Sequence, residues 1–141
     1  MNVYDLLNLG NVDKEQGIKD AISEVKEALK DLNTDATCKI YSGYITDALR
    51  RKHILNRIIT TDDFGCSYSH QFNLVPKDEK TYYLIDLTYE QFHREEFPNL
   101  KENGYMIVED DSFRTYLEIT GATSVNITLK DAFSTETGKV R

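Results

Sequence analysis

Residues 68–92 read YSHQFNLVPKDEKTYYLIDLTYEQF. Two apolar and aromatic runs flank the charged segment PKDEK, the pattern of a β-hairpin, yet each run holds one ionisable residue, His70 and Asp86. Strand alternation puts Tyr68, His70, Phe72 and Leu74 on one face of the first run, and Tyr82, Leu84, Asp86 and Thr88 on one face of the second. A five-residue loop over 76–80 pairs Val75 with Thr81, and a three-residue loop over 77–79 gives the same register; opposed positions then sum to 156, so His70 faces Asp86 directly. An even-numbered loop would turn one strand's apolar set to the other face, so burial selects the odd one. Directly opposed Cβ atoms lie about 4.5–5.5 Å apart, within reach of an imidazole–carboxylate hydrogen bond.

Taken alone, such a pair is a satisfied polar contact in the wall of a core. Cys38 gives it another meaning. The segment CKIYSGYITDALRR has helical spacing over 38–51, with Ile40, Tyr44, Ile45, Ala48 and Leu49 as its buried stripe, and Asp35 and Thr37 stand before it as cap residues. Cys38 then falls in the first turn, where unpaired N–H groups and the positive end of the helix dipole meet. A lone cysteine is most often a small core hydrophobe. A thiol at a helix start beside an imidazole is instead lowered in pKa and becomes a thiolate near neutral pH. Cysteine as nucleophile, histidine as base and acid, and a carboxylate orienting the ring make a complete acyl-transfer constellation. Cys66, four residues before His70 and next to Gly65 in a turn, has no helix start and reads as structural.

Upstream, residues 12–32 place Ile18, Ile22, Val25, Leu29 and Leu32 at steps of four, three, four and three, an amphipathic helix with Asp13 and Gln16 as a capping box. Gly43 inside the second helix suggests close approach of another backbone. Residues 53–61, HILNRIITT, read as a strand, and DDFG as a turn. Beyond the hairpin come a short helical turn from Tyr89, a loop around Pro98, a strand over 105–108, a helix over 112–119 closed near Gly121, a last strand in TSVNITL and a loose tail over 134–141. The whole, residues 1–141, is expected to be one α+β domain with its core motifs at 38–92: N-terminal helices, the nucleophile at a helix start, packed on an antiparallel sheet carrying histidine and aspartate.

The order of these motifs resembles the transglutaminase-like branch of the papain-like cysteine enzymes. The resemblance runs through CKIYSGYITDALRR, NRIITT, SHQFNLV and LIDLTYEQF, residues 38–92, about two-fifths of the chain. It implies a papain-like core with Cys38 as nucleophile, His70 as general base and acid, and Asp86 as orienter. The sixteen-residue separation of His70 and Asp86 is similar to that of bacterial glutamine deamidase toxins and effectors, and arylamine acetyltransferases are similar in layout. Gln71 and Phe72 stand where the family commonly has tryptophan. The implied activity is that of a thiol hydrolase or acyltransferase acting on an amide, as a glutamine deamidase, a transglutaminase or a peptidase. The partner is a protein or peptide presenting glutamine or another amide. The Cys38 N–H would supply one oxyanion donor, and Asn33 is a turn residue near the place where the papain group uses a side-chain amide.

Composition narrows the alternatives. The chain is 40% hydrophobic and 29% charged with a formal net charge of -7, globular and acidic. An acidic surface repels phosphate backbones and anionic lipids, so nucleic acid and membrane insertion are not expected, and the basic run 50–53 reads as helix-end complement to the dipole. No 18-residue apolar run and no signal-like start occur in it, which points to a cytoplasmic protein or one delivered by a non-classical route. Free thiols are expected rather than a disulfide, and no cofactor. His53, His70 and His93 lack metal-ligand spacing. The competing function is a non-catalytic acidic binding protein of immunity or inhibitor type on the same scaffold, whose charge would steer a basic partner.

Overall fold

The computed structural model describes residues 13–33, 37–62, 69–134 and 139–140, with backbone alone at 62, 69, 139 and 140. Cys66, Asp35 and Tyr68 lie outside them. The elements run α1 (Lys14–Ala28), α2 (Cys38–Arg51), β1 (Arg57–Asp62), β2 (Ser69–Pro76), β3 (Tyr82–Ile85), a 3₁₀ turn (Tyr89–Phe92), α3 (Pro98–Asn103), β4 (Tyr105–Val108), α4 (Asp110–Ile119), α5 (Leu129–Ser134) and β5 (Lys139–Val140). The sheet has the order β4-β3-β2-β1-β5, with the first four strands antiparallel and β5 parallel beside β1. The fold is mixed α+β.

Both faces of the sheet are covered. Val75, Tyr83 and Ile85 join Ile18, Ile22 and Val25 of α1 and Tyr41, Ile45 and Leu49 of α2 in one apolar cluster. Phe72, Leu74, Leu84 and Val108 join Phe113, Tyr116 and Leu117 of α4 and Leu129 of α5 in the other. This double burial explains why YYLI of β3 shows no polar alternation, since every side chain there meets a layer of helices.

Helix α1 starts as expected, with the Asp13 carboxylate accepting the Gln16 N–H at 2.9 Å. It ends at Ala28 instead of 32: the Leu32 N–H turns back to the Leu29 carbonyl at 2.9 Å, and the Tyr41 hydroxyl donates to the Leu32 carbonyl at 3.1 Å. Helix α2 has the expected bounds, but its buried face is rotated. Cys38, Tyr41, Ser42, Ile45, Ala48 and Leu49 face inward, while Ile40 and Tyr44 are 44% and 49% exposed. The Tyr41 anchor on the end of α1 and the inward Cys38 fix that face, and hydrophobicity alone could not choose between Ile40 and Ser42. The close backbone approach expected at Gly43 is absent among the described residues, for nothing lies within 4 Å of its Cβ position; the helix glycine in contact is Gly17, where a Cβ would meet the end of the Ile54 side chain at 2.6 Å.

The hairpin register differs from expectation by two. Leu74 pairs with Leu84, Val75 with Tyr83 and Pro76 with Tyr82, so positions sum to 158 and the loop is 77–81. Asp78 causes this. Its carboxylate accepts the N–H groups of both Lys80 and Thr81 at 2.9 Å, and the Lys77 and Asp78 N–H groups close on the Thr81 carbonyl at 3.1 and 3.2 Å, which draws Thr81 into the loop. The loop remains odd, so the faces are as expected.

Three later segments also depart. Pro98 opens α3 at its first turn instead of lying in a loop, a position where the missing N–H costs nothing. TSVNITL is not a strand: the Thr128 hydroxyl accepts the Asp131 N–H at 3.0 Å and the Asp110 carboxylate accepts the Leu129 N–H at 2.8 Å, so its end starts α5. Within the expected tail, Lys139 and Val140 pair with Thr60 and Thr61 of β1.

Candidate active site

Strand β2 has eight residues and β3 has four, and their ladder covers only 73–76 of β2. The first half of β2 therefore runs past the end of β3, leaving a notch in the sheet. Its β1 side stays paired, Thr61 with His70 and Thr60 with Gln71. On the open side the Gln71 N–H donates to the Cys38 sulfur, brought in by the first turn of α2. The thiol takes the place a β3 carbonyl would have filled.

Asp86 follows β3 directly and turns out of the strand. Its N–H donates to the Gly104 carbonyl at 3.0 Å, and its Oδ1 accepts both the N–H and the hydroxyl of Thr88 at 2.9 Å. The Asp-x-Thr spacing is thus a local turn that holds the carboxylate. Its Oδ2 points to His70 Nε2 at 2.9 Å. Continued in the observed register, His70 would oppose Thr88, so the pair is diagonal and not directly opposed as expected. The turn that carries Asp86 out of the strand, together with the reach of the imidazole, closes that diagonal.

Since Asp86 occupies Nε2, the hydrogen bond between His70 and Cys38 uses the other ring nitrogen, Nδ1. The sequence-expected residues Cys38, His70 and Asp86 are therefore joined in one chain of hydrogen bonds, drawn from α2, β2 and the turn after β3. They are 8%, 2% and 4% exposed. Phe92 meets the imidazole edge-on, with centroids 4.8 Å apart, and Phe72 lies 6.1 Å away on the same strand. These rings confine the imidazole.

The electrostatics favour a charged pair. Burial by itself would push the Cys38 thiol up, but the hydrogen bond and charge of His70 and the Gln71 N–H outweigh it, against a smaller opposing push from Asp86; the net position is below the ordinary thiol value. Burial would lower the His70 imidazolium, but the charge and hydrogen bond of Asp86, with Cys38 adding to them, raise it to about 9. Burial would raise the Asp86 carboxyl, yet His70, Tyr116 and Thr88 together hold it below the ordinary carboxylate value. A lowered thiol beside a raised imidazole is the condition for thiolate and imidazolium to coexist.

Tyr116 is a member of the site that its place in the sequence does not announce. Its hydroxyl donates to Asp86 Oδ2 at 2.6 Å and lies 2.9 Å from His70 Nε2. In the sequence it belongs to the apolar stripe Phe113, Tyr116, Leu117, where a buried aromatic is expected for packing alone. Thr88 could have been found from the Asp-x-Thr spacing. Thr37 precedes α2 as expected, but its hydroxyl donates to the Asn33 carbonyl at 2.6 Å instead of capping the helix, so Asn33 acts as a turn residue there. His53 and His93 lie just past helix ends in left-handed conformation, away from any ligand cluster; among the described residues no group of three or more His, Cys, Asp or Glu could hold a metal ion. No described helix is long and apolar enough to cross a membrane.

Beside Asp86 lies a cavity of about 320 Å³ between the end of α1, α2 and α3. Its lining mixes charges, Lys26, Lys30 and Lys101 with Glu90, and Lys30 and Lys101 are paired with Glu27 and Glu95 at 3.4 and 3.0 Å.

Comparison with protein-family models, with curated proteins and with solved structures finds no match to this chain.

Proposed function

We propose that the protein is a cysteine acyl-transfer enzyme acting on an amide carbonyl, with Cys38 as nucleophile, His70 as general base and acid, and Asp86 as orienter, in the layout of the transglutaminase-like branch of papain-like enzymes. The observation that carries this reading is the continuous contact from the Cys38 thiol through His70 to Asp86 Oδ2, assembled from segments far apart in sequence. A buried His–Asp pair needs no thiol to be satisfied; a thiol at a helix start on the free ring nitrogen is what the chemistry requires.

The thiolate attacks the amide carbon and forms a C–S bond, pushing the carbonyl electrons onto oxygen. As the tetrahedral species collapses, the C–N bond breaks and the His70 imidazolium gives its Nδ1 proton to the leaving nitrogen. Water, deprotonated by the now neutral imidazole, then attacks the thioester; the carboxylic acid leaves and the Cys38 thiolate and the imidazolium are restored. With a glutamine side chain the products are glutamate and ammonia. An amine in place of water gives a crosslink. Deamidation is the preferred subtype, on the resemblance to bacterial deamidase effectors.

Candidate partner proteins incubated with wild type should gain about one dalton at a glutamine, as expected for exchange of an amide for an acid, and should not do so with Cys38→Ala. Iodoacetamide should also alkylate Cys38 at neutral pH much faster than a model peptide thiol, with the rate falling in His70→Ala. A Cys38 thiol no more reactive than the peptide's would leave the acidic binding protein as the better account of the fold.

A further inference from the structure

Asp86 presents its two oxygens to different kinds of partner. Oδ1 is held by Thr88, two residues away on the same turn, and moves with it. Oδ2 meets the reacting imidazole and the Tyr116 hydroxyl, 30 residues on in α4. Among the described residues, Tyr116 is thus the one donor to Oδ2 that takes no part in proton transfer. Its ring is fully buried, packed edge-on to Phe72 with centroids 4.9 Å apart and against Tyr89 at 6.3 Å, so the hydroxyl is fixed by the core.

We propose that Tyr116 is a positioning residue of the site: its hydroxyl pins Asp86 Oδ2 in line with His70 Nε2, keeping Nδ1 directed at Cys38 through the proton transfers. This rests on the acyl-transfer reading above. Without the hydroxyl, the only partner of Oδ2 among the described residues is a ring that changes its own charge during the reaction, and the carboxylate can rotate about the Thr88 contacts. The ionisable groups acting on His70 and Asp86 are Cys38 from α2 and Tyr116 from α4, and Tyr89 of the 3₁₀ turn interacts electrostatically with Asp86 and Tyr116. Burial, followed by the charge of Asp86, keeps the Tyr116 phenol protonated well above its ordinary range, so it remains a donor wherever the enzyme works.

The test is the pH dependence of Cys38 alkylation by iodoacetamide, with circular dichroism and thermal melting to monitor folding. Wild type should show two inflections, a lower one from the thiol and an upper one from the imidazolium. In Tyr116→Phe the interval between them should shrink by about one pH unit, the scale on which loss of a hydrogen bond to a charged group is felt. Replacing Tyr116 by 4-aminophenylalanine, which restores a donor, should recover most of the interval; 4-methylphenylalanine, of similar volume but no donor, should not. This second pair decides the matter if the Phe variant folds poorly. An interval unchanged in the donor-free variants, or widened in them, overturns the positioning role while leaving the acyl-transfer reading standing. An unreactive wild-type thiol overturns both.

Discussion

Asp86 accepts from His70, from Tyr116 and twice from Thr88, so its charge is spread over four bonds in a site that is 4% exposed. Asp86→Asn should leave a packed fold but remove the counter-charge of His70, returning the imidazole to its neutral form and the thiol toward its ordinary value. We expect a loss of about 1–3 kcal/mol, the cost of unbalancing a buried polar network, and a fall of more than tenfold in Cys38 alkylation at neutral pH, read by chemical denaturation and by thiol labelling. The pH dependence of stability has a defined sign. His70 has a folded pKa raised to about 9, so its contribution is fully present below its ordinary value and is lost as pH rises through about 9. Asp86 is lowered, so its contribution is present above the ordinary carboxylate value and fades as pH falls through its lower folded one. Melting temperature should therefore decline toward alkaline and strongly acid pH in wild type, with the alkaline loss reduced in Asp86→Asn. The types and local settings of Cys38, His70 and Asp86 were readable from sequence because each depends on neighbours a few residues away. Tyr116 was not, because its role depends on a 30-residue separation closed only by packing, and its helical spacing is that of any core aromatic.

Gly104 links two elements to the site. It ends α3 in a left-handed conformation with φ of 82°, its carbonyl receives the Asp86 N–H, and a Cβ there would lie 2.5 Å from the Leu87 side chain. Gly104→Ala would add left-handed strain of about 1 kcal/mol to that overlap and push the turn carrying Asp86 and Leu87. We expect a fall of about 2 kcal/mol or more in unfolding free energy, larger than strain alone would give, and slower Cys38 alkylation even under conditions where the variant is fully folded. The helices and strands themselves were largely legible: the bounds of α2 and β4 follow from periodicity. What periodicity could not fix was rotation and register. Ser42 faces inward in place of Ile40 because Tyr41 anchors to Leu32, and the hairpin slips by two because Asp78 gathers Thr81 into the loop. Both depend on single side-chain hydrogen bonds that leave no mark on the hydrophobic pattern.

At the scale of the molecule, the site lies where the two apolar layers meet the end of the sheet. Cys38 comes from the α1/α2 side and Tyr116 from the α4 side, and His70 and Asp86 join them. That the fold would be mixed α+β, with Cys38 at a helix start and His70 on a strand, could be inferred from residues 38–92. On the second face the helix carrying Phe113, Tyr116 and Leu117 was legible, but the contribution of α5 was not, because the β-branched residues Val125, Ile127 and Thr128 just before it imitate a strand. The notch itself makes the site a gauge of strand length. Two residues added within the loop 77–81 lie beyond the ladder and should leave Cys38 reactivity within about twofold, since surface loops tolerate insertion. The same two residues inserted between Ile85 and Asp86 would let β3 zip alongside Gln71, claim its N–H and carry the carboxylate away from His70. That variant should still fold, with a longer ladder visible by backbone hydrogen exchange, and should have an ordinary, unreactive thiol. How far one hairpin closes thus sets whether Cys38, His70 and Asp86 meet or the sheet runs on past them.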